Sequence, residues 1–565
     1  MRSLRSAIRL AALAWGAAVL LPVAACGGDD DGGAPDARPT GPARVTAIRY
    51  DYELDLETRA ASTRVTLRVV EPGDCVTLPS RASMLDLGSV TLGGAPATAT
   101  VDGVTLTACG AGWGAGSEIE LTARMQQPLE TWGASQVGYS VTTDGAQQPL
   151  FYLISWVGGC DRFGPCDPTP SAFARYRFTV RHRSGVEALC SGRVTPGDTV
   201  TTCEFDRPGG PTYSTFGLIA SPSWQATELG TWGGTKVTLH DRPGSRIAPL
   251  IDRAYHEGFL AWMVARFGAY PYGDELRIVT GPTYWAGFEH PGNIVLDDGL
   301  WRPGGSYARP VAHTLNHELA HQWAGDQTTL ADTYDFVWKE AMAEYLAFVY
   351  EDETEPVVAA TTAAAWKGFA FGAAYYPVPE DRPTLLDYYG HVYGPGPMIL
   401  FRQLEVLTSR AQVIDALKQV LGQERALSVA EVQAALEATT GLDLDNYFDT
   451  WIRGRGAPTW PTFRVEITGK APAQQVVVTE TTPGGQLHGC NFKIELRGDG
   501  GEAPVTVAIA RGVDGVAVAT VPTGVTWPVT STVLDPDAEC LAYPDGVTLQ
   551  KQRHPPGWTP WRGSI

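Results

Sequence analysis

The segment HTLNHELAHQWAGDQTTLADTYDFVWKEAMAEY, residues 313–345, decides how the rest of the chain is read. It holds an HExxH motif at His317-Glu318-Leu319-Ala320-His321, and a second carboxylate, Glu340, follows after residues 322–339. Positions i and i+4 share one face of a helix, so His317 and His321 offer two imidazole nitrogens to one metal. Glu318 then lies beside that metal without ligating it, where a carboxylate can deprotonate water. Val311, Leu315, Leu319 and Trp323 have helical apolar spacing, and Gly325-Asp326 is a plausible exit. Trp338 to Tyr350 reads as a second helix with Glu340 and Glu344 on one face. Two histidines and Glu340 complete a His2Glu set for one catalytic Zn2+, with a fourth position open. His313, one turn before His317, is expected to support or cap, because only the later pair encloses the glutamate that the chemistry needs.

HELAHQWAGD followed by WKEAMAEYLA resembles the HExxH-x18-E signature of the M1 metallopeptidases, the zinc aminopeptidases that include the leukotriene hydrolase branch. That resemblance implies an N-terminal β domain, a thermolysin-like catalytic domain and peptide substrates. Upstream lies Ala286-Gly287-Phe288-Glu289-His290, similar to the family's GxMEN motif on an edge strand. It implies that Glu289 and Gly287 bind substrate, Glu289 holding the free amino terminus. Ala286, Phe288 and His290 replace the usual residues. Downstream, Tyr393-Gly394-Pro395-Gly396 resembles the YxxG motif, which makes Tyr393 the expected oxyanion donor. Tyr388 and Tyr389 are the other candidates.

Further out, Tyr50–Leu56 and Thr63–Val69 alternate with the period of two expected of strands. Arg162–Pro170 resembles the family's PCxDxP segment, and Tyr213–Leu218 its closing strand; Trp156-Val157-Gly158-Gly159 stands where many members carry a pocket glutamine or glutamate. Ala248–Phe267 reads as an amphipathic helix and Leu276–Thr280 as a short strand. Residues 409–456 read as helices, with Gly456-Ala457-Pro458 similar to the family's exit from the catalytic domain. Alternation returns at Val476–Val478, Phe492–Leu496 and Val505–Ile509, a terminal β-sandwich.

The formal charge of −19 argues against nucleic acid as a partner. At the amino terminus, Arg2, Arg5 and Arg9 precede an apolar run from Leu10 to Ala25 that is short for a membrane span. Val23-Ala24-Ala25-Cys26 resembles a bacterial lipobox, which implies lipidation of Cys26; an ordinary signal peptide is the alternative. Eight cysteines remain, and an even count in an exported chain reads as a disulfide framework. Pairing neighbours, 75 with 109, 160 with 166, 190 with 203 and 490 with 540, would keep each bridge local. No CxxC spacing supports zinc-cysteine sites.

The expected fold is multidomain α+β: a lipoprotein signal peptide (1–26), a flexible tether (27–44), an N-terminal β domain (45–235), a thermolysin-like α/β peptidase domain (236–460) and a C-terminal β-sandwich (461–565). The expected function is zinc-dependent removal of amino-terminal residues from peptides by an exported, membrane-anchored enzyme on the periplasmic or cell-surface side. A zinc endopeptidase or other hydrolase on the same site, and an inactive lipid-anchored binding protein, remain as alternatives.

Overall fold

The computed structural model describes residues 40–546 except 131–136, 145, 284, 303–306, 372–384, 454–458, 483–487 and 510–516. The expected signal peptide, Cys26 and Gly456-Ala457-Pro458 lie outside the described residues. Pro42–Asp55 is already a strand, so the expected tether runs too far: Pro42–Arg44 belong to the fold. Ala43 and Ala47 turn inward at the start of that strand, and small apolar side chains there are too few to show up as a pattern from sequence.

Alternating apolar residues drive the N-terminal half. Pro42–Asp55 pairs antiparallel with Ala60–Glu71 and parallel with Phe173–Arg181. Tyr50, Tyr52, Leu54, Val65, Leu67 and Val69 all point to the core, as a period of two requires. These strands belong to an eleven-stranded sheet, and a second, four-stranded sheet contains Gly138–Thr143, Pro149–Ile154, Glu187–Cys190 and Gly217–Ser221. Tyr213–Thr215 fall in a short helical turn, Thr212–Thr215, so the expected closing strand begins only at Gly217. Tyr213 donates its hydroxyl to Gly325 O and Ser214 donates to Asp326 at 2.6 Å, tying this turn to the exit of the motif helix. Those partners lie more than a hundred residues away and override the local strand pattern. All four disulfides join the neighbouring cysteines.

The catalytic sheet has five strands in the order Gln225–Trp232, Thr235–Asp241, Glu275–Gly281, Asn293–Asp297, Gly287–Phe288. The first of these was expected in the N-terminal domain but pairs with Thr235–Asp241. Thr235–Asp241 and Glu275–Gly281 run parallel, and the crossover that parallel strands need is the helix Arg253–Phe267. That helix starts later than its apolar pattern suggests. Pro249 lies in a separate turn, Ala248–Leu250, and Asp252 caps the helix by accepting from Tyr255 N. Beyond the catalytic region come two sheets, of four and three strands, built on Thr462–Thr468, Gln475–Glu480, Cys490–Gly498 and Gly501–Ile509. The architecture is thus multidomain α+β. Among the described residues no helix is long and apolar enough to cross a membrane.

Candidate metal centre

The motif helix, Pro310–His321, opens with proline at its first turn, where no amide hydrogen is needed, and is buried from Val311 to His321. Leu315 and Leu319 anchor it in the core, leaving the opposite stripe of histidines and Glu318 for chemistry. The second helix, Phe336–Thr354, is longer at both ends than its sequence pattern indicated. Together they place three ligand atoms around one point. His317 Nε2 and His321 Nε2 are 2.9 Å apart, and Glu340 Oε2 is 3.4 Å from the first and 3.5 Å from the second.

These separations fit a tetrahedral zinc with bonds of about 2.0–2.1 Å, whose ligands stand roughly 3.3 Å apart. His321 Nδ1 lies 2.9 Å from Ala324 O, so it carries the proton and leaves Nε2 as a lone pair. His317 Nε2 and Glu340 Oε2 converge on that lone pair, an arrangement that a cation completes. Glu340 is held well below the usual carboxylate range: burial opposes its charge, but the Lys339 ammonium and the histidines more than offset it.

Glu318 is buried beside this set, and its Oε2 has no hydrogen-bond partner among the described residues. Burial, reinforced by the carboxylates of Glu289 and Glu340, pushes its pKa well above the carboxylate range, which suits a group that must accept a proton. Gly287 backs onto this carboxylate: a methyl there would lie 2.8 Å from the Glu318 carboxyl carbon. The edge strand Gly287–Phe288 pairs antiparallel with Asn293–Asp297, and Phe288 packs among Leu150, Tyr152, Ile219, Val279 and Val295. That packing brings Glu289 to the rim of the metal site, within reach of Glu318 and His321.

Glu289 does not arrive alone. Its Oε1 lies 2.7 Å from Lys339 Nζ, and the same ammonium is 2.7 Å from Glu340 Oε1. Neither Lys339 nor this pairing was anticipated from sequence; the sole signal was a cationic residue directly before a metal ligand.

His313 does not ligate the metal. Nε2 is 2.6 Å from Glu344 and Nδ1 2.8 Å from Glu351, with Thr362 donating to Glu351 at 2.8 Å. Burial opposes the imidazolium, but the two carboxylates outweigh it and push its pKa up to about 10. Glu344 in turn is drawn down to about 2, since His313 more than offsets burial. Tyr393 donates its hydroxyl to Glu344, and Tyr307 donates to the same oxygen at 3.0 Å. That oxygen also lies 3.7 Å from His317 Nδ1, so Tyr393 reaches the metal helix through Glu344. Tyr388 donates to Tyr334 O. Tyr389 lies in a half-buried aromatic group with Trp156, Trp285 and Phe336, at centroid separations of 4.7 to 6.1 Å.

Residues 285–451 match the model of the Peptidase family M1 domain. No match was found among curated proteins. Among solved structures, a Glu→Ala mutant of the M1 zinc metallopeptidase of Deinococcus radiodurans is similar, with 19% identity and a TM-score of 0.59 over 73% of this chain and 95% of that one. The same mutant enzyme bound to a Tyr-Ser-Ala substrate matches with the same values.

Proposed function

We propose that the chain is a zinc peptidase of the M1 family, whose domain model matches residues 285–451, and that it removes amino-terminal residues from peptides outside the cytoplasm. The observation that carries this reading is the convergence of His317, His321 and Glu340 with Glu318 at the foot of an edge strand. Zinc held by the three ligands supplies a Lewis acid for the scissile carbonyl and lowers the pKa of water to about 7. Glu318 takes a proton from the attacking water at its unpartnered Oε2 and returns it to the leaving nitrogen. Gly287 lets the substrate-side strand close on Glu318 without a side chain between them. Tyr393 is the donor proposed for the oxyanion, a role in which its one hydroxyl proton, here given to Glu344, turns to the substrate; such a donor contributes about 2.7–4 kcal/mol.

The half-buried group of Trp156, Trp285 and Tyr389 suits a large apolar side chain in the first pocket. Four disulfides and the basic-then-apolar leader ending at Cys26 support export and a lipid anchor. A second reading, hydrolysis that does not depend on a free amino group, is favoured by the Glu289–Lys339 pair.

The test is a zinc-loaded protein beginning at Pro39, incubated with a mixed peptide pool read by mass spectrometry beside Glu318→Gln. Stepwise loss of single amino-terminal residues, abolished by the substitution, is the expected result. An intact pool would sink the peptidase reading.

A further inference from the structure

Lys339 is almost wholly buried, yet it is charged and central to the site. Its ammonium joins the cleft carboxylate Glu289 to the free oxygen of Glu340, each at 2.7 Å, while the other Glu340 oxygen faces His317 and His321. The lysine stem runs beneath Gly325, where φ is +138° and a methyl would lie 2.8 Å from Lys339 Cε. The Phe336 ring lies 5.2 Å from Nζ on another side. Packing on the stem and two ion pairs on the head hold this cation in place. Displacing it would leave Glu289 without its counter-charge beside a second carboxylate, Glu340.

A peptide entering beside the edge strand therefore meets an ammonium already seated between Glu289 and the metal-ligand carboxylate Glu340. A charged amino terminus placed there is repelled by Lys339, and like charges across a binding surface select against such partners. An uncharged amino end carries no such penalty. An acyl carbonyl also accepts hydrogen bonds, and Nζ has three N–H bonds with only two carboxylates as partners among the described residues.

We propose that Lys339 is a specificity-determining residue that takes the place of a substrate ammonium, so that amino-acylated peptides are substrates of this enzyme alongside free ones. The proposal rests on the zinc-peptidase reading above and extends its substrate class. The reaction remains hydrolysis: the C–N bond breaks, hydroxide from water adds to the acyl carbon, and the proton goes to the leaving amine.

The test compares one peptide sequence with a free and with an acetylated amino terminus, using the zinc-loaded protein and kcat/KM for each. The acetylated peptide is expected to react at no less than a tenth of the free peptide's rate; a stronger preference for the free amine overturns the proposal. Lys339→Met, with unchanged zinc content, is expected to shift the ratio at least tenfold toward the free peptide, whereas Lys339→Arg leaves it within threefold. An unchanged ratio in a folded Lys339→Met protein removes Lys339 as the cause. If Lys339→Met does not fold, the wild-type ratio decides, together with calorimetric binding of both peptides to zinc-loaded Glu318→Gln, which should show the same tenfold limit. Cleavage of neither peptide by wild-type protein sinks the peptidase reading and this proposal with it; cleavage of the free peptide alone sinks only the proposal.

Discussion

The same two helices, Pro310–His321 and Phe336–Thr354, build two buried histidine–carboxylate clusters one turn apart, and the two end differently. At His317, His321 and Glu340, three potential ligand atoms lie within 3.5 Å of one another. At His313, one imidazole lies between Glu344 and Glu351 and can donate from both nitrogens. Two imidazoles facing one carboxylate call for a cation. One imidazole between two carboxylates is satisfied by a proton. The ratio of the two residue types, set by which turns of the helices face each other, separates a metal centre from a structural ion pair.

The largest effect should come from breaking the first cluster. Chelation, or His321→Gln, should take bound zinc from one equivalent to none by elemental analysis and reduce peptidase activity to background, while His313→Gln retains the metal. If His313→Gln lost zinc as completely, the division between the two clusters would be wrong. Glu318→Gln should keep its zinc and lower kcat by about 10²–10⁴, the range for loss of a general base.

The second cluster should answer in stability. His313→Gln leaves two buried carboxylates without their counter-charge, at a cost of about 3–5 kcal/mol, measurable by denaturant unfolding. The sign of its pH dependence follows from two shifts. His313 is raised to about 10, so its contribution is full below its ordinary value near 6.5 and is lost as pH rises through 10. Glu344 is lowered to about 2, so its contribution is full above roughly 4.3 and is lost as pH falls through 2. The wild-type advantage over His313→Gln should therefore be greatest between about pH 4.3 and 6.5 and smaller at pH 9.5. A flat difference across that range would show that the pair is not ionised.

Gly287→Ala should be milder, since its methyl displaces the Glu318 carboxylate without touching a ligand. A fall of about tenfold in kcat with zinc unchanged is expected, roughly 1.4 kcal/mol on the barrier. The smallest effect belongs to an exposed control, Arg44 with Glu71 at 2.7 Å, whose loss should change stability by no more than about 1 kcal/mol.

How much of this was legible depends on the range of the interaction. The strands at Tyr50–Leu56 and Thr63–Val69 and the motif helix show their periods locally, so their sequences suffice. The pairing of cysteines succeeded because each bridge joins neighbours within one local region. The turn at Thr212–Thr215 was hidden, because its partners Gly325 and Asp326 are distant. The late start of the helix at Arg253 was obscured by apolar residues that continue through Pro249.

The amino-acid sequence by itself marked His317 and His321 as a candidate ligand pair with Glu318 between them, because an i, i+4 histidine pair must share a helix face wherever that helix lies. Only the tertiary structure decided the charge around them. Lys339 precedes Glu340 on one helix, but its partner Glu289 directly follows an edge strand fifty residues earlier, and Gly325 clears the space for its stem. Likewise His313 becomes a cation because Glu344 and Glu351 reach it from the second helix. Helical spacing fixes which side chains share a face, whereas the charge that a buried group carries depends on whichever distant element packs against it.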